Sequence, residues 1–406
     1  MDSEEKLKNF LKKIPKADIH VHLDGSIRVN TLIEIAKLRG IKLPSYKEED
    51  LLTTVFKKQY NDLVDYLQGF KYTTAIMQTT ADIERVSYEF CVDSYEDGVH
   101  FVEPRFAPQQ HINANLNIEQ VMVAVDNGMR KAKTEYNMKP SVSDGSEPPY
   151  DYGIIACALR FLPPGISPYF DNFLKCHEYC EPSRISALAS NELIQAMAKI
   201  RDKYNLPIVA LDLAGAEYGY HAMEHVEAFQ YALSKYFNRT IHAGESDGPQ
   251  SIYQAITKCH AERIGHGYHL LDYIDLIDPG IPDPHTYVEN LLKFMEKQQI
   301  TVEVCLTSNL QTHPGLQSLK KHPCRQMLRH NLPIAFCTDN RMISRTTCSE
   351  ELYKAIVEFN LSMEEVKACV FNGLKAGFFP CSNREKKDFL ERCNNYYDKI
   401  AKEYGF

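Results

Sequence analysis

The chain has 406 residues, a formal net charge of -8 and a pI near 6.0, a balance that argues against a phosphate backbone as partner, since binding one takes a surplus of Lys and Arg on one face. Hydrophobic residues at 44% and charged residues at 25% mark an ordinary folded protein and exclude a disordered one. No run approaches the roughly eighteen apolar residues of a membrane span, and the start, MDSEEKLKNFLKKIPK, is charged. The protein is therefore expected to be cytoplasmic, with neither nucleic acid nor membrane as partner.

Eight β-branched, apolar runs recur in chain order: KADIHVHL, HFVEPRF, YGIIACALRF, LPIVALDLAG, RTIHAGE, ERIGHGYH, ITVEVCLTSN and LPIAFCTDN. Each is followed by enough chain for a helix. Near-continuous apolar character predicts strands covered on both faces, and eight such units predict a single TIM-type (β/α)8 barrel, an α/β fold, over residues 1–406. The segment SNELIQAMAKIRDKYN spaces Leu193, Ile194, Met197 and Ile200 as one helix face. The insertion after strand 1, roughly residues 40 to 75, is longer than a barrel connection needs and reads as rim packing or as a lid. Residues 138 to 151, MKPSVSDGSEPPYD, read as a surface loop, and 346–406 as closing helices.

Twelve cysteines lie scattered, many in apolar runs, which predicts buried free thiols and no disulfide framework. The only close pair, Cys176 and Cys180, is spaced for one helix face.

The polar residues collect at strand ends. His20 and His22, one residue apart, leave the same face of strand 1 and can reach one ion; alone, the pair fits two satisfied histidines as well. His242 ends strand 5, His266 strand 6 and Asp339 strand 8. Imidazoles with one carboxylate suit zinc and leave a position for water. Glu245, three residues after His242, is either a first-turn glutamate of the next helix or an acid facing a ligand above the metal.

Other signatures fail. The HxE pairs His225/Glu227 and His260/Glu262 are not completed by PCxxC, and Walker A, GxGxxG and HExxH runs are absent from the sequence.

The ordered series HVHLDGSI, VEPRFAP, VALDLAGAE, IHAGE, RIGHG, VEVCLTSN and CTDN, over about residues 15 to 345, resembles the adenosine deaminase family. The resemblance implies conversion of adenosine, and of 2′-deoxyadenosine, to inosine and ammonia in purine salvage. One Zn²⁺ per chain would be held by His20, His22, His242 and Asp339. By the same resemblance Glu245 donates to purine N1, His266 positions the attacking water and either helps deprotonate it or stabilises the hydroxide charge, and Asp339 orients it. The backbone N–H of Gly215 faces purine N3, Asp24 takes the ribose hydroxyls, His22 borders the substrate, and Tyr66 and Phe70 close the sugar pocket, with rim packing the equal alternative for these two.

Asn340 stands where the best-known members carry a second aspartate, and its amide can donate to purine N7 without a pKa shift. Selectivity and its pH dependence are expected to differ there. The expected partner is a small purine nucleoside, bound by a monomer or weak oligomer. The same metal chemistry on adenine, a 5′-modified adenosine or an N6-substituted nucleotide is the alternative; a non-catalytic purine-binding barrel is the third reading.

Overall fold

A computed structural model describes residues 3–273, 276 and 280–406. Eight parallel strands form the barrel: β1 (Lys16–His22), β2 (Val99–Phe106), β3 (Ile154–Leu159), β4 (Ile208–Ala214), β5 (Asn238–Ala243), β6 (Arg263–His266), β7 (Thr301–Val304) and β8 (Ile334–Phe336). Each pairs with the next in chain order, and a two-residue piece, Asp151–Tyr152, also pairs β2. Every residue of β2, β4, β6, β7 and β8 is buried. That double coverage is why the runs are apolar throughout and do not alternate.

The barrel closes between its first and last strands. Val21 bridges Asp339, three residues past β8, while the Asp339 N–H donates to the His20 carbonyl at 2.8 Å and the His22 N–H to the Asp339 carbonyl at 2.6 Å.

The expected helix around residues 190–205 is observed as Pro182–Tyr204, with Leu193, Ile194, Met197 and Ile200 all buried and Asn205 turning it off in the left-handed region at φ 51°. Two readings need correction. Cys176 is the last residue of the helix Pro168–Cys176, so Cys180 lies beyond it and the two exposed thiols share no helix face. The stretch 138–151 is not all loop, because Pro140 at a first helical position starts the short helix Pro140–Ser143. All twelve cysteines are unpaired, and nine are buried.

The insertion forms three short helices, Glu48–Thr54, Leu63–Leu67 and Phe70–Ile76. It is seated on the barrel rim: the Tyr60 N–H donates to the Gln311 carbonyl at 3.1 Å, and Arg345 Nη2 to the Phe56 carbonyl at 2.7 Å. Three closing helices follow β8, Cys348–Phe359, Met363–Ala376 and Asn383–Tyr404. The second packs so closely that a Cβ on Gly373 would lie 3.4 Å from Ala335. No helix among the described residues is long and apolar enough to cross a membrane.

Candidate active site

Four ligand-bearing side chains meet where the barrel closes. One nitrogen or oxygen each from His20, His22, His242 and Asp339 lie within 4.8 Å of one another. Asp339 Oδ1 is 3.6 Å from His20 Nε2 and 3.4 Å from His22 Nε2, and the Nε2 atoms of His22 and His242 are 3.2 Å apart. His20 Nε2 is buried and has no hydrogen-bond partner, and burial holds His22 down at about 3. Three imidazoles crowded around one carboxylate form the donor set of a divalent metal. The residues present fit such an ion.

The far nitrogens of two of the rings, His20 and His242, are occupied, which fixes the tautomers of those two. His20 Nδ1 lies 2.7 Å from Glu303 Oε2, and His242 Nδ1 3.2 Å from Asp212 Oδ1. Both carboxylates are completely buried and belong to one charge lattice inside the barrel. Arg105 bonds Asp212 at 3.1 Å and Glu303 at 3.0 Å, Arg263 reaches Glu303 at 2.7 Å, and the Thr240 hydroxyl donates to it at 2.9 Å. Burial alone would raise Glu303, but Arg105 and Arg263 hold it far below the usual carboxylate range. Asp212 is lowered likewise, against burial, by His242 and Arg105.

Glu245 lies on the loop after β5, with Oε1 3.5 Å from His266 Nε2. Burial, the Asp339 carboxylate and then Glu217 push its pKa well above 4.5, which favours the protonated acid. Glu217 was not anticipated. Its carboxylate accepts the backbone N–H groups of Gly244 (2.7 Å), Glu245 (2.8 Å), Ser246 (2.7 Å) and Asp247 (3.2 Å), and the Ser251 hydroxyl at 2.5 Å. One buried carboxylate thereby sets the loop that carries Glu245.

His266 and Asp339 are both held at positive φ, 64° and 59°. Non-glycine residues there are strained by about 1–2 kcal/mol, a cost the surrounding bonds must sustain.

The remaining predicted residues line the same end of the barrel. Gly215 sits at φ 97°, where only glycine is unstrained. Asp24 is 3% exposed with Oδ1 unpartnered, and burial lifts it to about 7. A Cβ on its neighbour Gly25 would fall 1.7 Å from Asn340 Oδ1, so the Asn340 amide occupies the space a side chain would need. Phe70 stands edge-on to His22 with ring centroids 6.1 Å apart. Tyr66 differs: it is buried, edge-on to Tyr60, with its hydroxyl 2.7 Å from Ser344 Oγ. It packs the insertion against the residues following Asn340.

Sequence reading missed Asp212, Glu217, Glu303 and Arg105. Charged residues inside runs as apolar as VALDLAG and VEVCL were the available signal, since a buried charge must be paired.

An eight-stranded parallel barrel with a histidine–carboxylate metal set at the carboxyl ends of its strands is the architecture of a metal-dependent hydrolase. The sequence profile of the family described as Adenosine deaminase matches residues 15–143 and 175–396. The chain belongs to the adenosine deaminase family, and it is a hydrolytic deaminase.

It is 33% identical over 355 residues to an adenosine deaminase of Shewanella pealeana, covering 87% of this chain and 91% of the relative. It is 33% identical over 359 residues to a probable adenosine deaminase of Dictyostelium discoideum, covering 88% of this chain and 40% of that much longer protein. Among solved structures it resembles an amidohydrolase of Burkholderia ambifaria with bound Zn, at TM-score 0.76 and 17% identity over 100% of this chain and 96% of the other. That likeness concerns the fold. Residues 144–174 fall outside the family match, yet they contain β3, which completes the barrel between β2 and β4.

Proposed function

We propose that this protein deaminates adenosine, and 2′-deoxyadenosine, to inosine and ammonia, as one catalytic domain over residues 1–406 holding a single Zn²⁺ on His20, His22, His242 and Asp339. The observation that carries the reading is the placement of the buried Glu245 carboxyl 3.5 Å from His266, at the edge of that ligand set. When bound, zinc lowers the pKa of a coordinated water to about 7.

The chain's own residues supply the rest. Glu245 gives its proton to purine N1 as the water oxygen adds at C6; the C6–N6 bond then breaks, one proton of that water leaves with the amine as ammonia, and the other returns to the Glu245 carboxylate as the oxygen becomes the C6 carbonyl. General acid catalysis of this kind contributes about 10²- to 10⁴-fold. Asp339 accepts a hydrogen bond from the water and aims it. His22, on the substrate side of the metal set, retains 12% side-chain exposure.

The Gly215 N–H takes purine N3, and the Asn340 amide donates to N7. Asp24, with an unpartnered oxygen, takes the ribose 5′-hydroxyl, where a 5′-phosphate would meet a buried carboxyl. Phe70 and Tyr66 border the sugar, Tyr66 with its hydroxyl held on Ser344 Oγ. The twelve unpaired thiols fit a reducing, cytoplasmic setting, and a monomer or weak oligomer suffices because every site residue comes from one chain.

The test is kcat/KM for adenosine beside adenine, AMP, 5′-methylthioadenosine and N6-methyl-AMP. Adenosine is expected to be preferred by at least about tenfold, the value of one lost buried hydrogen bond to a hydroxyl. A preference for a phosphorylated or sugarless purine would overturn the substrate assignment and leave the metal chemistry in place.

A further inference from the structure

His266 faces two ways. Its Nε2 looks toward Glu245, and its Nδ1 toward Asn309, whose Nδ2 is 3.1 Å away. Which nitrogen carries the hydrogen decides what the ring can do beside an acid that must keep its proton.

The hydrogen can be traced from an unambiguous donor. The backbone N–H of Cys324 donates to His322 Nδ1 at 3.1 Å. A backbone N–H has no acceptor role, so that nitrogen presents a lone pair. His322 is 3% exposed, and burial pushes its pKa down to about 3, so the ring is neutral and carries its hydrogen on Nε2. Nε2 in turn lies 3.2 Å from Asn309 Oδ1. This fixes the amide: its oxygen accepts from His322, and its nitrogen is left to donate to His266 Nδ1. A nitrogen that accepts a hydrogen bond carries no hydrogen, so His266 Nδ1 is bare. The ring's one hydrogen therefore sits on Nε2, facing Glu245.

We propose that His322 and Asn309 are positioning residues for the deamination reaction, a relay that locks His266 as the Nε2–H tautomer and so keeps the Glu245 proton available to the purine. A lone pair on Nε2, 3.5 Å from Glu245 Oε1, would draw the carboxyl hydrogen and convert the pair to imidazolium and carboxylate. The acid would then be spent before substrate arrived. With a hydrogen on Nε2, His266 donates toward Oε1, and the carboxyl hydrogen stays on the other oxygen. The role assigned to Glu245 rests on the function proposed above; the tautomer does not.

Two-bond ¹H–¹⁵N correlation spectra of the zinc-loaded, ¹⁵N-histidine-labelled protein read the tautomer directly, with His266 assigned from its absence in His266→Gln. The expected pattern is a protonated Nε2 and a bare Nδ1. Asn309→Asp replaces the donor by an acceptor; it is expected to move the hydrogen to Nδ1 and to lower kcat about 10²-fold, the lower end of a general-acid contribution, with KM within about threefold. His322→Leu is expected to lower kcat about tenfold, and His322→Gln, whose amide N–H mimics Nε2–H, to restore most of it.

A bare Nε2 in the unsubstituted protein overturns the relay, and so does Asn309→Asp with tautomer and kcat both unchanged. Because the spectrum needs no substrate, an Nε2–H signature in a protein that turns over no purine would uphold the lock while refuting the substrate assignment.

Discussion

Asp339 and His20 meet twice: the Asp339 N–H donates to the His20 carbonyl at 2.8 Å, and Asp339 Oδ1 faces the unpartnered His20 Nε2 across 3.6 Å. The bond that closes the barrel between β1 and the end of β8 is thus the bond that sets the metal ligands. Chelation is expected to destabilise the whole fold, because metal binds only the closed arrangement. Zinc at about a thousand times its Kd contributes about 4 kcal/mol, measurable by urea unfolding with and without chelator. Equal midpoints would separate the metal from the closure.

Asp212 holds His242 through Nδ1 and itself rests on Arg105. Asp212→Asn is expected to weaken metal binding about 10- to 100-fold, read by competition with a chromophoric chelator. Glu303→Gln takes a charge from between Arg105 and Arg263, both fully buried, and is expected to cost about 3–5 kcal/mol in stability. A loss below about 1 kcal/mol, the range of an exposed pair, would show that the lattice contributes little.

Glu217 binds the loop of Glu245 and adds negative charge to its surroundings. Glu217→Gln removes that charge, so the Glu245 pKa falls and the alkaline limb of the pH profile of kcat/KM moves to lower pH. The amide also turns a donor toward backbone N–H groups, at a cost of about 1–3 kcal/mol. An unmoved alkaline limb would refute the electrostatic part.

Acid instability has a separate source. Burial lowers His100 and His111 to about 4, and His225 to about 3. A histidine with a depressed folded pKa contributes stability that is complete above its unfolded value of 6.5 and is lost as pH falls toward the folded value. Between pH 6.5 and 5 each such group removes about 2 kcal/mol. The unfolding free energy, measured at pH 7, 6 and 5, is expected to fall steeply with acid, and His111→Gln to flatten the slope by about one proton's worth. A flat profile above pH 5 would contradict this.

The barrel was legible because strands buried on both faces read as unbroken apolar runs, and its metal set because His20, His22, His242 and Asp339 stand at or just beyond strand ends. The support beneath was not. Arg105 and Asp212 are 107 positions apart and Arg105 and Glu303 are 198, and no local spacing records such a pairing. Glu217 binds backbone N–H groups, which leave no trace in side-chain identity. The Asn309–His322 contact depends on a loop that turns back after the helix Leu306–Thr312. Cys176 and Cys180 misled because spacing does not reveal where a helix stops.

The central claim is metal-dependent hydrolytic deamination at one site, and ammonia release from adenosine during zinc titration of metal-free protein tests it most directly. Activity is predicted to rise linearly, to saturate at one equivalent per chain, and to fall about 10²- to 10⁴-fold in Glu245→Gln at full loading. Undiminished activity in the metal-free protein, or no ammonia at saturating zinc, would contradict it.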